Sequence, residues 1–340
     1  MSTPVSTMRW TGIGSWPGTD VADATAIAFA ECPDLPYLPE LPARGPHAQL
    51  VGRTTALLSG LAVDLQPAGW RLTDAPGRDG RQARALLRAD LDVLEEVAQG
   101  YAGLVKISFG GPWTAVAAME RPRGDRVLAD SGARRDVAQS LTEGLAELVA
   151  ELGRRLPEVA LVVQLDEPLL PAVLAGSVPT ASGFSRHRPV DRPEVAESFT
   201  ALVERLAGTG PHPPPLVVHC CAANAPVELL LTAGAAGVAL DVDQIGAGGW
   251  DAVGLGLSEG HWFGAGVLPT ASPTLAPPTP EQVAARVLSR LDDLGLDADA
   301  GLRTVLTPAC GLAGTTPARA VAALRTLRSA ADIVTDRLLG

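Results

Sequence analysis

The sequence predicts an α/β chain folded as a (β/α)8 TIM barrel with its active site at the C-terminal ends of the strands. Three observations carry that prediction. Eight short apolar runs, at 11–14, 35–38, 104–108, 160–165, 216–219, 237–241, 262–267 and 304–307, have the length and β-branched content of buried strands. Amphipathic segments separate several of them, and residues able to bind a metal or move a proton stand just after others. Strands alternating with helices pair in parallel through right-handed crossovers, and eight such units close into a barrel whose chemistry lies at the strand C-termini.

Taken in order, the first run enters Gly12-Ile13-Gly14-Ser15-Trp16-Pro17. Proline stands where a dinucleotide-binding helix would start, which argues against an open doubly wound sheet. The Gly12 to Gly18 loop offers backbone N–H groups and the Ser15 hydroxyl to a carboxylate, with a plain strand-to-loop turn as the alternative. The second run leads into 39–80, rich in Pro, Gly and Arg, which is expected to be an insertion over one barrel end; 177–193 reads the same way. Helical spacing places Leu141, Leu145, Leu148, Val149, Leu152 and Leu156 on one face. It does the same for Val283, Val287, Leu288, Leu291 and Leu294.

Composition agrees with one large barrel over 1–340. The chain is 46% hydrophobic and 19% charged, enough apolar material for a core and too little charge for disorder. Its 36 glycines and 29 prolines are dispersed and read as punctuation between many short elements. A net charge of −11 with no basic stripe argues against nucleic acid as a partner. With no secretory h-region and no apolar stretch of the roughly 18 residues a membrane helix needs, no membrane partner and a cytoplasmic location are expected. Four cysteines are too few for a disulfide framework, and the adjacency of Cys220 and Cys221 turns attention to metal or thiol chemistry.

The strand ends hold the chemistry. Asp166-Glu167-Pro168 follows the fourth run, His219-Cys220-Cys221 the fifth, Asp241 the sixth, and Cys310 the eighth. Alternation along a strand puts His219 and Cys221 on one face and Cys220 on the other. Adding Cys310 gives one nitrogen and two sulfurs, a donor set that suits zinc, with Asp241 as the natural fourth ligand. The competing reading is a buried cysteine pair beside a core histidine. The Asp166-Glu167 pair either orients a cationic group or caps the helix starting near Pro168. His47, His187 and His212 are read as solvated loop residues, and His261 precedes the seventh strand, away from the chemistry.

Together these motifs resemble the cobalamin-independent methionine synthase family, within the wider group of barrels that includes uroporphyrinogen decarboxylase. Thr11 to Pro17 is similar to the family's Ile-Gly-Ser opening, and 105–114 to its Gly-Pro-Val-Thr segment. Gln164-Leu165-Asp166-Glu167-Pro168 is close to Gln-Ile-Asp-Glu-Pro, His219-Cys220-Cys221 to His-x-Cys, and Pro308-Ala309-Cys310-Gly311-Leu312 to Pro-Asp-Cys-Gly-Leu. The resemblance implies zinc on His219, Cys221, Cys310 and a carboxylate, here Asp241 with Asp243 as the fallback where the family has glutamate. It implies that Ile13, Gly14 and Ser15 receive the homocysteine carboxylate and Asp166 its amine, with Glu40 as a further acidic residue.

Two departures from the family bear on the methyl donor. Ala271 stands where the family carries a histidine, and members of the family are tandem barrels of which this chain matches only the catalytic one. The expected partners are therefore a small thiol, homocysteine, and a donor that is either a methyl folate or a methyl-corrinoid protein. The expected activity is zinc-dependent methyl transfer to the thiol. Its rivals are a barrel that binds zinc and a thiol or partner without turnover, and a metal-free decarboxylase on the same scaffold.

Overall fold

The computed structural model describes residues 7–210, 212–270 and 277–340. Its strands are β1 (Arg9–Trp10), β2 (Ala62–Gln66), β3 (Gly69–Thr73), β4 (Gly103–Gly110), β5 (Val159–Asp166), β6 (Leu216–Cys220), β7 (Gly237–Asp241), β8 (Trp262–Leu268) and β9 (Thr304–Pro308). The α-helices are α1 (Val21–Glu31), α2 (Leu50–Leu57), α3 (Arg78–Val97), α4 (Pro112–Ala118), α5 (Ser131–Arg155), α6 (Leu170–Leu174), α7 (Arg192–Ala207), α8 (Val227–Thr232), α9 (Ala247–Ser258), α10 (Pro280–Asp293), α11 (Ala298–Gly301) and α12 (Pro317–Leu339).

Seven strands form one curled parallel sheet in the order β1-β9-β8-β7-β6-β5-β4. The fold is TIM-like, but among the described residues its ladder does not close, and this corrects the expectation of eight paired strands. The predicted second strand at 35–38 is the missing member. Its stretch reads Pro33, Pro36, Pro39 and Pro42 at every third position, and proline has no N–H to give a ladder. What remains are isolated parallel bridges on its two sides, Ser15 with Glu40 and Tyr37 with Lys106. Leu38 N–H donates to the Lys106 carbonyl at 3.0 Å, and Glu40 N–H to the Gly14 carbonyl at 3.0 Å. The first strand also begins earlier than expected, at Arg9, and Thr11 N–H continues its pairing to the Leu306 carbonyl at 3.0 Å.

The expected insertion at 39–80 has more regular structure than its composition suggested. It carries α2, the antiparallel β2–β3 hairpin turning at Pro67-Ala68, and the start of α3. The 177–193 stretch is irregular up to α7, with one isolated bridge between Pro179 and Arg186. Among the described residues no helix is long and apolar enough to cross a membrane.

Alternation divides the core in two. Val105, Ile107, Phe109, Val163, Leu165, Val218, Val238 and Leu240 face outward and pack under the helices, whose Leu141, Leu145, Leu152, Val283, Val287 and Leu291 meet them. The opposite parity supplies a small separate cluster of Leu35, Val162, Val217, Ala239 and Val305, with Leu104 and Trp262 against it. That cluster plugs the barrel interior. Two residues further along the same strands come Lys106, Gln164, His219, Asp241 and Thr307, so the interior turns from apolar to polar one layer above the plug.

Candidate metal and substrate site

Above the plug, β6 and β9 deliver the sulfur and nitrogen ligands. One donor atom from each of His219, Cys221 and Cys310 lies within 4.8 Å of the others. The Cys310 and Cys221 Sγ atoms are 3.4 Å apart. Tetrahedral coordination with Zn–S near ~2.3 Å requires about 3.8 Å between sulfurs, so the pair needs only a small adjustment. His219 is buried, and its Nδ1 lies 3.0 Å from the Ala239 carbonyl oxygen. A carbonyl can only accept, so Nδ1 carries the hydrogen and Nε2 is the atom left for a metal, the usual orientation of a ligating histidine. The donor set and its spacing fit zinc.

Without metal the sulfurs share their protons unevenly. The Cys221 and Cys310 Sγ atoms are hydrogen-bonded to each other, and this bond together with one from His219 lowers the Cys310 thiol well below its ordinary range. Cys221 is pushed up, first by that same hydrogen bond and then by burial. The lowering favours the thiolate form of Cys310, the form in which a cysteine binds a metal. Cys220 is buried with the outward-facing core, as strand parity requires.

Asp241 ends β7 but is not in the three-residue group; its carboxylate accepts the Asp243 N–H at 3.0 Å. Asp243 is exposed and paired with Arg286. A pocket of about 500 Å³ opens beside Asp241 and is lined in part by Arg192, Asn224 and Gln244. Ala271, aligned with the family's histidine, lies outside the described residues.

Two buried carboxylates lie within electrostatic reach of the group formed by His219, Cys221 and Cys310. Asp166 is in register with His219 and buried, and its Oδ1 accepts from Gln164 Nε2 at 2.7 Å. Burial raises its pKa, opposed first by the charge of His219. Glu40 is buried beside the Ser15 bridge, and burial pushes its carboxyl up to about 7 against the pull of Arg53. Arg53 is itself buried, donating to Asp90 at 2.9 Å and lying 5.3 Å over the Phe109 ring.

Ser15 connects the two halves of the site. Its carbonyl accepts Leu312 N–H at 2.9 Å, and its hydroxyl packs on Gly311, where an added Cβ would lie 1.9 Å from Oγ. Ile13 and Gly14 sit beneath it, with Gly14 against the Ser108 hydroxyl.

Glu167 parts from Asp166. It is fully buried and accepts Trp113 N–H at 2.9 Å, Thr114 N–H at 2.7 Å and the Thr114 hydroxyl at 2.7 Å. The expected cap of the helix near Pro168 is not found; Glu167 instead caps α4, which precedes it in sequence. Burial still pushes its carboxyl up to about 7.

Two histidines differ from the sequence reading. His187 is buried 3.3 Å from Asp125, and His47 lies 3.2 Å from Asp79 with its ring edge-on to Trp70. Sequence reasoning also passed over Lys106, whose ammonium lies at the centre of the interior. Its one visible signal was to be the only lysine, on a strand, at inward parity.

No family model matches the sequence, and no curated protein matches it. Among solved structures, a B12-independent methionine synthase from Shewanella sp. W3-18-1, in complex with selenomethionine, matches with a TM-score of 0.61 at 13% identity. The chain has the methionine synthase fold. The match covers 98% of this chain and 99% of the methionine synthase chain, so the one-barrel extent is shared by both.

Proposed function

We propose that this chain is a zinc-dependent methyltransferase of methionine synthase type, whose acceptor is the sulfur of homocysteine. The observation that carries the reading is the gathering of His219, Cys221 and Cys310 at the same strand ends as Ser15, Glu40 and Asp166, in a barrel with the methionine synthase fold. Selenomethionine in the neighbour supports an amino-acid ligand for such a barrel.

His219, Cys221 and Cys310 would hold the zinc, with Asp241 as the proposed fourth donor. Bound there, zinc would lower the pKa of a substrate thiol, ordinarily near 8.5, so that it reacts as the thiolate at neutral pH. The Ile13-Gly14-Ser15 loop receives the substrate carboxylate. Asp166 and Glu40 receive the ammonium group. Holding both ends of the amino acid fixes the sulfur opposite the donor's methyl group, and that orientation supplies much of the acceleration. Methyl-tetrahydrofolate and a methyl-corrinoid protein are the two donors proposed.

Metal analysis and methyl-transfer assays test this reading together. One zinc per chain is expected in the wild type, lost in Cys310→Ser with the circular dichroism spectrum unchanged. Methionine should form from homocysteine with at least one of the two donors. Bound zinc with no transfer from either donor would leave a thiol-binding barrel without turnover, and absence of zinc would favour metal-free chemistry.

A further inference from the structure

Lys106 is the only lysine in the chain, and it is buried in the barrel interior one layer above the apolar plug. Burying an ammonium group costs several kcal/mol unless every proton finds an acceptor. Here all three do. Nζ donates to the Gly12 carbonyl at 2.6 Å, the Ile13 carbonyl at 2.8 Å and Gln164 Oε1 at 2.6 Å. A neutral amine has two hydrogens and could not serve three acceptors, so these contacts favour the charged form against burial, which lowers the group to about 7. The Tyr37 ring faces the ammonium, its centroid 5.5 Å from Nζ.

Gln164 extends the connection. With Oε1 turned to Lys106, its Nε2 donates to the Ile13 carbonyl at 2.9 Å and to Asp166 Oδ1 at 2.7 Å. Both amide hydrogens and the amide oxygen are engaged, so the side chain has a single orientation. An unbroken set of short hydrogen bonds therefore runs from the Gly12-Ile13 backbone through Lys106 and Gln164 to Asp166. Gly12 is also pressed on Tyr37, where an added Cβ would meet the ring Cζ at 2.4 Å, so the loop cannot shift away on that side.

We propose that Lys106 is a positioning residue: acting with Gln164, it holds the Ile13-Gly14-Ser15 loop and the Asp166 carboxylate at the spacing of the two ends of an α-amino acid. Lys106 thereby sets the preference for amino-acid thiols over simple thiols. The inference rests on the functional reading above, which places the substrate carboxylate on the loop and its ammonium at Asp166. The loop carbonyls are turned inward to Lys106, and the adjoining Ile13-Gly14-Ser15 backbone is held in place to meet an anion.

The test compares L-homocysteine with 1-propanethiol, which has the same sulfur and carbon chain but neither charged group. Calorimetric titration of the zinc-loaded wild type should show tighter binding of homocysteine. Lys106→Met is expected to weaken homocysteine binding at least tenfold and to leave propanethiol within twofold; Gln164→Leu should do the same more weakly. A second measurement needs no variant. Protein labelled with 15N-lysine has one side-chain ammonium resonance, and it should shift on adding homocysteine and stay in place on adding propanethiol.

Unchanged homocysteine affinity in Lys106→Met, equal loss of both ligands in a folded variant, or an unmoved ammonium resonance overturns the positioning role alone. Wild-type protein that binds homocysteine no better than propanethiol overturns the functional reading, and this inference falls with it.

Discussion

Glu40 shows how burial sets the working pH of a single residue. Its carboxyl, ordinarily near 4.5, is pushed up to about 7 chiefly by burial, so it is mostly neutral at pH 6 and mostly ionised at pH 8. Only the ionised form attracts an ammonium group. Affinity for L-methionine, which has no thiol to titrate, should therefore rise as pH increases through 7, by about tenfold between pH 6 and pH 8. Glu40→Gln should remove that rise. Calorimetric titration of both proteins across that range checks it, and a pH-independent wild type would remove Glu40 from the amine site. The grouping of His219, Cys221 and Cys310 was legible at this scale because strand parity and two short motifs suffice to bring them together. The hydrogen bonds of Lys106 were not, since they join residues 94, 93 and 58 positions apart that only the curling of the sheet brings together.

At the scale of elements, β5 anchors two different functions through consecutive residues. Asp166 faces the interior, while Glu167 turns to the start of α4 and accepts three hydrogen bonds there. Glu167→Ala would leave the Trp113 and Thr114 N–H groups buried without an acceptor, at a cost of about 2 kcal/mol, seen as a lowered thermal midpoint with homocysteine affinity changed far less. The strands themselves were largely readable. β7 has the bounds predicted, and β4, β5, β6, β8 and β9 differ by at most two residues at either end, because buried parallel strands are continuous apolar runs. The β2–β3 hairpin escaped notice although Val63, Leu65, Trp70 and Leu72 alternate with polar neighbours, since prolines and glycines around it dominated the composition.

For the whole molecule, the weak place is the seam between β1 and β4. Six parallel pairings carry the sheet from β1 round to β4, while the 35–40 stretch is tied in by two isolated bridges and the two backbone hydrogen bonds that flank each of them. Few ladder bonds mean low local opening free energy. Amide exchange at Leu38 and Glu40 is expected at least tenfold faster than at Val163 and Val218 in the central strands, by hydrogen–deuterium exchange read at residue resolution. Equal protection would mean that the seam is as firm as the rest. This too was only half legible: the apolar content of 35–38 marks a strand, and its prolines explain why the ladder stops there. The solitary lysine has a practical corollary for covalent chemistry. An amine-reactive reagent applied to the native protein finds its one side-chain target sealed inside the barrel. Modification of Lys106 then reports, molecule by molecule, that the interior has come open.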